Sequence, residues 1–329
     1  MFEVVERPDP VPGPGQVLVD VQAAHTLWVE TAIRSGAGQD YWSMRPPYVP
    51  GNAVSGRESR VGPDVDNARL GRRVAGHTGN EGGYADRALV AADRLCVVPD
   101  TQSFRLWISA LLRCGVDPQD TLWEVVCRTD RDVVEQAQCR GPVVEERGRG
   151  GQVEVVGASG GLGIVSVQLG RARARRVVAL ARAAKLARVQ ELKPDAVVDS
   201  DDPHWAQQAR AELGGGADVV LDNIGGGLGE AAFALAVTGG RFSAHGTPSG
   251  RFAQIDRDEA RRTGVAVTGI EAVQLPAPDL TRYTRAALVE AAVGNIAPVV
   301  GQTFALERVG EAHAAIEGRA VFGTTLLVM

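Results

Sequence analysis

The stretch "VEVVGASGGLGIVSVQLG", residues 153–170, constrains the fold more than any other part of the sequence. It has the pattern of a buried strand, a turn with glycines at 157, 160, 161 and 163, and an apolar helix that follows at once. Further apolar runs, "RRVVALA", "DAVVDS", "ADVVLDN" and "GRFSAHG", then alternate with helical patterns. Strand and helix in alternation predict parallel βαβ units, so we expect a doubly wound parallel sheet here.

The first hundred residues follow a different pattern. Short strands such as "QVLVDVQAA" and "GGYADRALV" are separated by Pro/Gly turns, which predicts a β-rich, barrel-like module. The segment 101–151 fits neither pattern and holds three of the four cysteines. We hypothesise that this segment is a frame-shifted or otherwise disturbed reading of the gene.

Composition excludes several classes of protein. The 329 residues are 44% hydrophobic, which is enough to bury a substantial core, and the net charge is −5. No long basic run recruits nucleic acid, and neither a membrane-length apolar segment nor a signal peptide is recognisable. The four cysteines form no CxxC pair or tight cluster of the kind that holds structural zinc. We expect a cytoplasmic protein that binds neither nucleic acid nor membrane.

The glycine turn predicts a dinucleotide site. Small residues let the backbone approach a pyrophosphate, whose charge then lies against the N–H groups at the start of the helix. A second glycine run, "DNIGGGLGEAAF", also lies between a strand and a helix, but the 157–163 turn opens the first βαβ unit, where this motif belongs. The alternative is a tight turn without a ligand.

The next strand indicates which dinucleotide is bound. NAD-binding folds usually carry an acid about 20 residues after the glycines, where it holds the ribose 2′-hydroxyl. No Asp or Glu occurs between Ile164 and Gln190, whereas Arg182 and Lys185 lie just past the predicted strand. Without a 2′-phosphate these cations would repel one another, so NADPH is favoured over NADH. The alternative is that they are solvated cations on a helix face.

Several blocks together resemble a known family. The order of "PDPVPGPGQVLVDVQAA", "IRSG", "PPYVPG", "GGYADRALV", "ASGGLG", "DVVLDNIGG", "GRFSAHGTPSG" and "GRAVFGTTLLVM" is similar to that of zinc-independent quinone oxidoreductases of the medium-chain dehydrogenase/reductase superfamily. The resemblance implies an α/β protein with a GroES-like β-rich catalytic domain, residues 1–120 and 270–329, and a Rossmann domain, residues 121–269. It also implies NADPH between the domains and a homodimer.

The resemblance assigns residues to the cofactor. The glycine turn would hold the pyrophosphate, and Arg182 and Lys185 would hold the 2′-phosphate side. The residues at the ends of the later strands would lie near the nicotinamide. Arg319 would reach a cofactor phosphate. The full set of predicted cofactor-binding residues is Ser159, Gly160, Gly161, Leu162, Gly163, Arg182, Lys185, Asn223, Gly225, His245, Gly246, Thr247 and Arg319.

Three departures from the family pattern stand out. The family usually has a further strand before "FEVVERPDP", and it has a Gly-x-Thr-Ala block between about 110 and 130 that is not recognisable here. Where many members have "GVNxxD" near the nicotinamide, this chain has "HTLWVE", which places Leu27 at the asparagine position and Glu30 at the aspartate position.

Hydride transfer from a nicotinamide to a quinone or activated alkene requires positioning and a donor for the developing oxyanion, and does not require a metal. Tyr41 and Tyr48 are the predicted catalytic residues, because a phenol can donate a hydrogen bond to that oxygen; a packed loop aromatic is the alternative for Tyr48. His25 lacks further ligands, because Asn52 and Ala53 stand where a zinc-dependent relative has a His-Glu pair. No metal site is predicted.

The predicted function is therefore an NADPH-dependent oxidoreductase that transfers hydride to a small-molecule quinone or enone without a metal. One alternative is an NADPH-binding protein with impaired or no turnover, either a cofactor-responsive protein or a damaged gene product. Another is a zinc alcohol dehydrogenase, which would contain bound metal.

Overall fold

The computed structural model describes residues 2–37, 44–45, 47–79, 81–100, 102–110, 151–173, 176–270, 277–292 and 294–329. Two compact units divide the chain. The first comprises Met1–Cys114, Pro276–Val289 and Pro298–Met329, and the second comprises Gly115–Leu275 and Glu290–Ala297. Most of the atypical segment 101–151 and the predicted domain boundary at residue 120 lie outside the described residues.

The first unit is built on a seven-stranded sheet. Its strands are β1 Gln16–Thr26, β2 Ala53–Val61, β3 Arg73–His77, β4 Arg87–Ala91, β5 Leu95–Val97, β12 Val300–Ala305 and β13 Thr324–Val328. The order is β12-β13-β1-β2-β3-β5, with β4 paired to β1. The pairs are antiparallel except β12 with β13.

Both ends of the chain build this sheet. The strand β1 pairs with β4 through residues 16–20 and with the C-terminal strand β13 through residues 23–26. Alternate residues of β1, Val17, Val19 and Val21, enter a core that also contains Val54 and Leu327. The β-rich module predicted from the first hundred residues is confirmed, and the last strands of the chain complete its sheet.

Among the described residues, four helices belong wholly or partly to the first unit: α1 Trp28–Ser35, α2 Phe104–Ala110, α8 Ala277–Ala292, whose residues to Val289 belong to this unit, and α9 Val309–Glu317. The helices of the second unit are α3 Gly161–Arg173, α4 Leu186–Gln190, α5 Trp205–Glu212, α6 Gly226–Phe233 and α7 Arg257–Thr263. No helix within the described parts of the chain is both long and apolar enough to cross a membrane.

The second unit has a six-stranded parallel sheet. Its strands are β6 Gln152–Val156, β7 Arg176–Ala181, β8 Ala196–Asp199, β9 Ala217–Asp222, β10 Ala236–Ala244 and β11 Ala266–Thr268. The order is β8-β7-β6-β9-β10-β11, which reverses direction between β6 and β9. The predicted doubly wound sheet is confirmed, and such sheets bind ligands at the carboxyl ends of the strands where the order reverses.

A buried glutamate occupies the middle of β6. Glu154 lies between Val178 of β7 and Val220 of β9 in the sheet register, and its side chain is fully buried. Within the described ranges, neither carboxyl oxygen has a hydrogen-bond partner. Burial raises the pKa of Glu154 to about 8, and the charge of Arg210 offsets this only in part. The carboxyl group is therefore protonated in the folded protein at neutral pH.

This pKa shift predicts how stability depends on pH. The ordinary pKa is 4.5 and the folded-state pKa is about 8, so between these values the folded state binds a proton that the unfolded state releases. The free energy of unfolding therefore falls by about 1.4 kcal/mol per pH unit as pH rises from 4.5 to about 8. Above pH 8, Glu154 contributes no further change. Glu154→Gln should remove this slope when urea unfolding is measured from pH 5 to pH 9.

The matched control is Glu191→Gln, because Glu191 is exposed on the same unit. It should keep the wild-type dependence of unfolding free energy on pH. Parallel pH profiles for the wild type and Glu154→Gln would contradict the assignment of the slope to Glu154.

Candidate active site

The glycine turn brings the start of α3 against the end of β6. The N–H groups of Gly157 and Ala158 both donate to the Leu180 carbonyl at 3.0 Å, which ties the turn to β7. Gly157 has a φ of +75°, and a Cβ there would lie 2.7 Å from the Ile224 side chain. A Cβ at Gly163 would overlap the Gly157 carbonyl oxygen and lie 2.8 Å from the Ala158 Cα. Both positions therefore require glycine for the fold itself.

Gly160 differs from these two positions. A Cβ there would meet only the Gly157 carbonyl oxygen, at 3.7 Å, and Gly160 is exposed. The fold therefore leaves open space beside the first turn of α3. A small residue at such a point lets a ligand approach the N–H groups of the helix start, which have no partner inside the helix.

A hydrogen-bonded chain of polar side chains connects the ends of three strands. Ser243 Oγ lies 2.9 Å from Nδ1 of His245, whose Nε2 lies 3.0 Å from Oδ1 of Asn223. Nδ2 of Asn223 donates to the Val156 carbonyl at 2.8 Å. The chain therefore runs across the carboxyl ends of β10, β9 and β6, where the strand order reverses.

The charge state of His245 follows from this geometry. Burial lowers its pKa to about 4, so the imidazole is neutral at neutral pH. Because the Asn223 amide donates through Nδ2, its oxygen accepts, and Nε2 of His245 must carry the proton. Nδ1 then accepts from the Ser243 hydroxyl. Both ring nitrogens are occupied, so His245 holds Asn223 in place and is not available as a general acid.

A second buried carboxylate shapes the loop after β9. Oδ1 of Asp222 accepts from the N–H groups of Ile224, at 2.9 Å, and Gly225, at 2.8 Å. Burial raises the pKa of Asp222, although these two hydrogen bonds oppose the shift. A Cβ at Gly225 would overlap the Gly246 carbonyl oxygen, so the loops after β9 and β10 pack backbone to backbone. The segment around Gly225 and Gly246 is therefore held in one backbone arrangement at the carboxyl ends of β9 and β10.

The cations after β7 have an acidic neighbour that the sequence pattern did not reveal. Nε of Arg182 lies 3.1 Å from Oδ1 of Asp201, and the Ala183 N–H donates to Oδ2 of the same carboxylate at 3.3 Å. Asp201 follows β8, so the loop after the neighbouring strand supplies an acid. The argument that Arg182 and Lys185 repel one another unless a phosphate is bound is corrected, because Asp201 already neutralises part of their charge.

The first unit holds the phenol of Tyr48. Its hydroxyl oxygen is buried and has no hydrogen-bond partner among the described residues. Burial raises the pKa of Tyr48, and the negative charges of Glu30 and Glu81 raise it further. This hydroxyl keeps its proton and is a donor without an acceptor in the part of the chain that the structure describes.

Glu30 organises the surroundings of this phenol. Its buried carboxylate accepts from the Leu27 N–H at 2.8 Å, the Asn52 N–H at 3.1 Å and the Tyr84 hydroxyl at 2.8 Å. The Tyr84 hydroxyl also lies 3.3 Å from Nε2 of His313 on α9. Burial lowers the pKa of His313 to about 4, so this ring is neutral. The network joins α1, the loop before β4 and α9.

The sequence-predicted residues fall into three groups. The glycine turn, Arg182, Lys185 and the residues after β9 and β10 all lie in the second unit at the carboxyl ends of its strands. Tyr48 and Arg319, which follows α9 with a φ of 55°, belong to the first unit. Tyr41 lies outside the described residues.

Sequence reasoning missed Ser243, Asp222, Asp201 and Tyr84. Of these, only Asp222 left a signal, because it ends an apolar strand directly before the second glycine run. His25 is buried in β1, and burial together with the charge of His77 lowers its pKa to about 3. Within the described ranges, no three His, Cys, Asp or Glu side chains are grouped so that they could hold a metal.

Comparison with known proteins agrees with this architecture. Residues 13–100 match the alcohol dehydrogenase GroES-like domain, and residues 192–327 match the family described as zinc-binding dehydrogenase. The quinone oxidoreductase of Mus musculus is 28% identical, over 97% of this chain and 91% of the relative. The Homo sapiens quinone oxidoreductase is 26% identical, with the same shares of both chains covered.

Solved structures show the same fold. A mycobacterial protein in complex with NADPH has 25% identity and a TM-score of 0.80, covering 99% of this chain and 95% of that one. The Escherichia coli quinone oxidoreductase in complex with NADPH has 21% identity and a TM-score of 0.79, with the same coverage. The predicted GroES-like and Rossmann fold class is confirmed. The chain is an oxidoreductase, and its two domain matches and its relatives are similar to quinone oxidoreductase-like members of the medium-chain dehydrogenase/reductase superfamily.

Proposed function

We propose that this enzyme uses NADPH to reduce a quinone or an activated enone, by hydride transfer without a metal. The observation that carries the proposal is the glycine turn at the point where the strand order reverses, with open space beside Gly160 and the start of α3 behind it. A pyrophosphate fits this arrangement, because exposed backbone N–H groups and the positive end of a helix dipole face the same space.

The cofactor side is assigned residue by residue. The backbone from Ser159 to Gly163, including Gly160, Gly161 and Leu162, would hold the pyrophosphate. Arg182 and Lys185 would take the 2′-phosphate, with Arg182 drawn from Asp201 to the more strongly charged phosphate. Both similar structures named above carry NADPH, which supports this choice of dinucleotide. Arg319 is the proposed contact from the first unit.

The nicotinamide end is assigned to the loops after β9 and β10. The Ser243–His245–Asn223 hydrogen bonds fix these loops, so Gly225, Gly246 and Thr247 would line the nicotinamide end in a set orientation. When bound, NADPH supplies the hydride. The role of the protein is to hold the nicotinamide ring in one position, which lowers the entropic part of the activation barrier to hydride transfer.

The acceptor side is assigned to Tyr48. Hydride addition to a quinone or a conjugated enone places negative charge on the carbonyl oxygen, and a donor aimed at that oxygen stabilises the transition state. The Tyr48 hydroxyl is a buried donor without a partner, and its raised pKa keeps it protonated. Tyr41 is the second phenol proposed for this role.

The decisive experiment is an acceptor panel with the full-length protein. We expect NADPH oxidation with simple quinones or 2-enones, a preference for NADPH over NADH, and activity that survives dialysis against a zinc chelator. Tight NADPH binding without turnover of any acceptor would favour the alternative of a cofactor-binding protein with impaired or no turnover. Stoichiometric zinc in the active protein would indicate a zinc alcohol dehydrogenase.

Two glycine substitutions should separate fold from binding. Gly163→Ala places a methyl group against the backbone of the turn and should destabilise the protein by roughly 1–3 kcal/mol or more in urea unfolding. Gly160→Ala meets open space, so it should keep wild-type stability while weakening NADPH binding by roughly tenfold, because the methyl group stands where the pyrophosphate approaches. Unchanged NADPH affinity in Gly160→Ala, measured by calorimetry, would argue against this position of the cofactor.

Removing the phenol hydroxyl tests the acceptor side. Tyr48→Phe should lower kcat by about 100-fold with little change in NADPH affinity, since the lost hydrogen bond acts on the developing oxyanion. The matched control is Tyr283→Phe, because Tyr283 is a buried tyrosine on α8 that plays no proposed part in the reaction. It should leave kcat unchanged. If Tyr48→Phe and the wild type had equal kcat, Tyr48 would not be the donor to the developing oxyanion.

A further inference from the structure

A cavity lies within the first unit, and none of its described lining residues is assigned to the reaction. Its volume is about 540 Å³, which is in the range of small-molecule sites. It opens beside the first residues of α2, where the Ser55 hydroxyl donates to the Phe104 carbonyl at 3.2 Å and fixes the helix against β2. No part of the glycine turn contributes to it.

Three arginines line this cavity, and none of its described lining residues has an acidic side chain. Arg57 and Arg73 are direct partners in the antiparallel register of β2 and β3, so their side chains leave the same face of the sheet side by side. Arg105 reaches the cavity from α2. Like charges directly opposite each other on neighbouring strands destabilise a sheet. Water screens this repulsion in part at the exposed Arg57, and a bound anion would compensate it further.

Neighbouring acids do not provide full compensation. Asp20 is the register partner of Arg57 on β1, but its carboxylate lies 3.1 Å from Nε of Arg87. Asp100 lies 3.8 Å from Nε of Arg73, and its own side chain is 97% exposed, so water screens this pair strongly. The cluster keeps an excess of positive charge.

The guanidinium groups are held in place by neutral partners. Arg57 donates to the Gly71 carbonyl at 3.0 Å, and Arg73 donates to the Gln102 carbonyl. The guanidinium of Arg73 also stacks on the Phe104 ring, with its central carbon 4.2 Å from the ring centroid. Each guanidinium has five N–H donors in a fixed plane, so these contacts orient Arg57 and Arg73 and leave donors for a ligand.

We propose that this cavity is a binding site for a small organic anion, a carboxylate or phosphate ester whose oxyanion is held by Arg57, Arg73 and Arg105. The apolar part of the ligand would lie against Phe104 and Val328, which also line the cavity. Bidentate pairing with guanidinium groups suits both carboxylate and phosphate oxygens. The site is independent of the glycine turn and of the proposed reaction.

Calorimetric titration of the full-length protein tests this site, with phenyl phosphate, benzoate, inorganic phosphate and neutral benzyl alcohol as probes. The titrations are made with NADPH already saturating, so that phosphate binding at the cofactor site does not contribute. We expect saturable binding of phenyl phosphate or benzoate at one site per chain, weaker binding of inorganic phosphate and none of benzyl alcohol. Which of the two organic probes binds more tightly distinguishes a phosphate ester site from a carboxylate site.

Charge-neutral variants locate the binding. Arg105→Gln and Arg57→Gln should each weaken binding by roughly tenfold or more, whereas Arg57→Lys should recover part of it. The matched control is Arg257→Gln, because Arg257 is an exposed arginine at the start of α7 in the second unit. It should leave the affinity unchanged. Arg105→Gln should also leave the thermal unfolding midpoint of the ligand-free protein unchanged or raised, which a purely structural role would not.

Several results would overturn the proposal. These are the absence of saturable binding at millimolar probe concentrations, equal affinity for benzyl alcohol, equal or tighter binding of inorganic phosphate, and affinities that do not change in Arg105→Gln and Arg57→Gln. Because the titration measures binding without turnover, failure of the proposed reductase reaction would leave this result intact. Failure of anion binding would equally leave the reductase reaction intact.

Discussion

The contact between the start of α3 and the end of β6 sets the geometry on which the cofactor site depends. Gly163 lies so close to the Gly157 carbonyl that a single methyl group would separate the helix from the strand. With that approach, the free N–H groups of the helix point over the carboxyl edge of the sheet. At the same edge, Asn223 after β9 donates to the Val156 carbonyl of β6. The loop after β10 joins this edge through the Ser249 N–H, which donates to the Ile224 carbonyl. The position of the proposed phosphate site thus follows from backbone packing and does not depend on a charged side chain.

Two buried polar networks keep protons in defined places. In the second unit, the neutral ring of His245 is hydrogen-bonded to the Ser243 hydroxyl on one side and to the Asn223 amide on the other. In the first unit, the carboxylate of Glu30 gathers two backbone N–H groups and the Tyr84 hydroxyl. Because buried donors and acceptors are costly when unpaired, saturated networks of this kind fix one arrangement. The Tyr48 hydroxyl lies outside these networks, as a buried donor without an acceptor among the described residues.

The sequence was sufficient for the fold class and for the strand, turn and helix around the glycines, because these follow from local periodicity and from the special geometry of glycine. It was not sufficient for contacts between residues that follow different strands. Asp201 meets Arg182 only because β7 and β8 are neighbours in the sheet, and the absence of an acid from the first loop was therefore overinterpreted. The cofactor prediction now depends on the relatives as well as on these cations. In the sequence, Glu30 is recognisable only as a residue at the position of the family's aspartate. Its role as an acceptor depends on the Tyr84 hydroxyl, more than fifty positions later in the chain.

Unsatisfied groups in this protein differ in what they imply. Glu154 has no partner for either oxygen, but it lies in the middle of a strand among valines and takes up a proton, so the fold absorbs its cost without a ligand. Arginine cannot respond in this way, because its pKa lies too high for it to lose its charge. Arg57 and Arg73 stand side by side as register partners, and the proposed anion would compensate both side chains. A group without compensation thus takes up a proton at Glu154, whereas at the arginine cavity we propose an external partner.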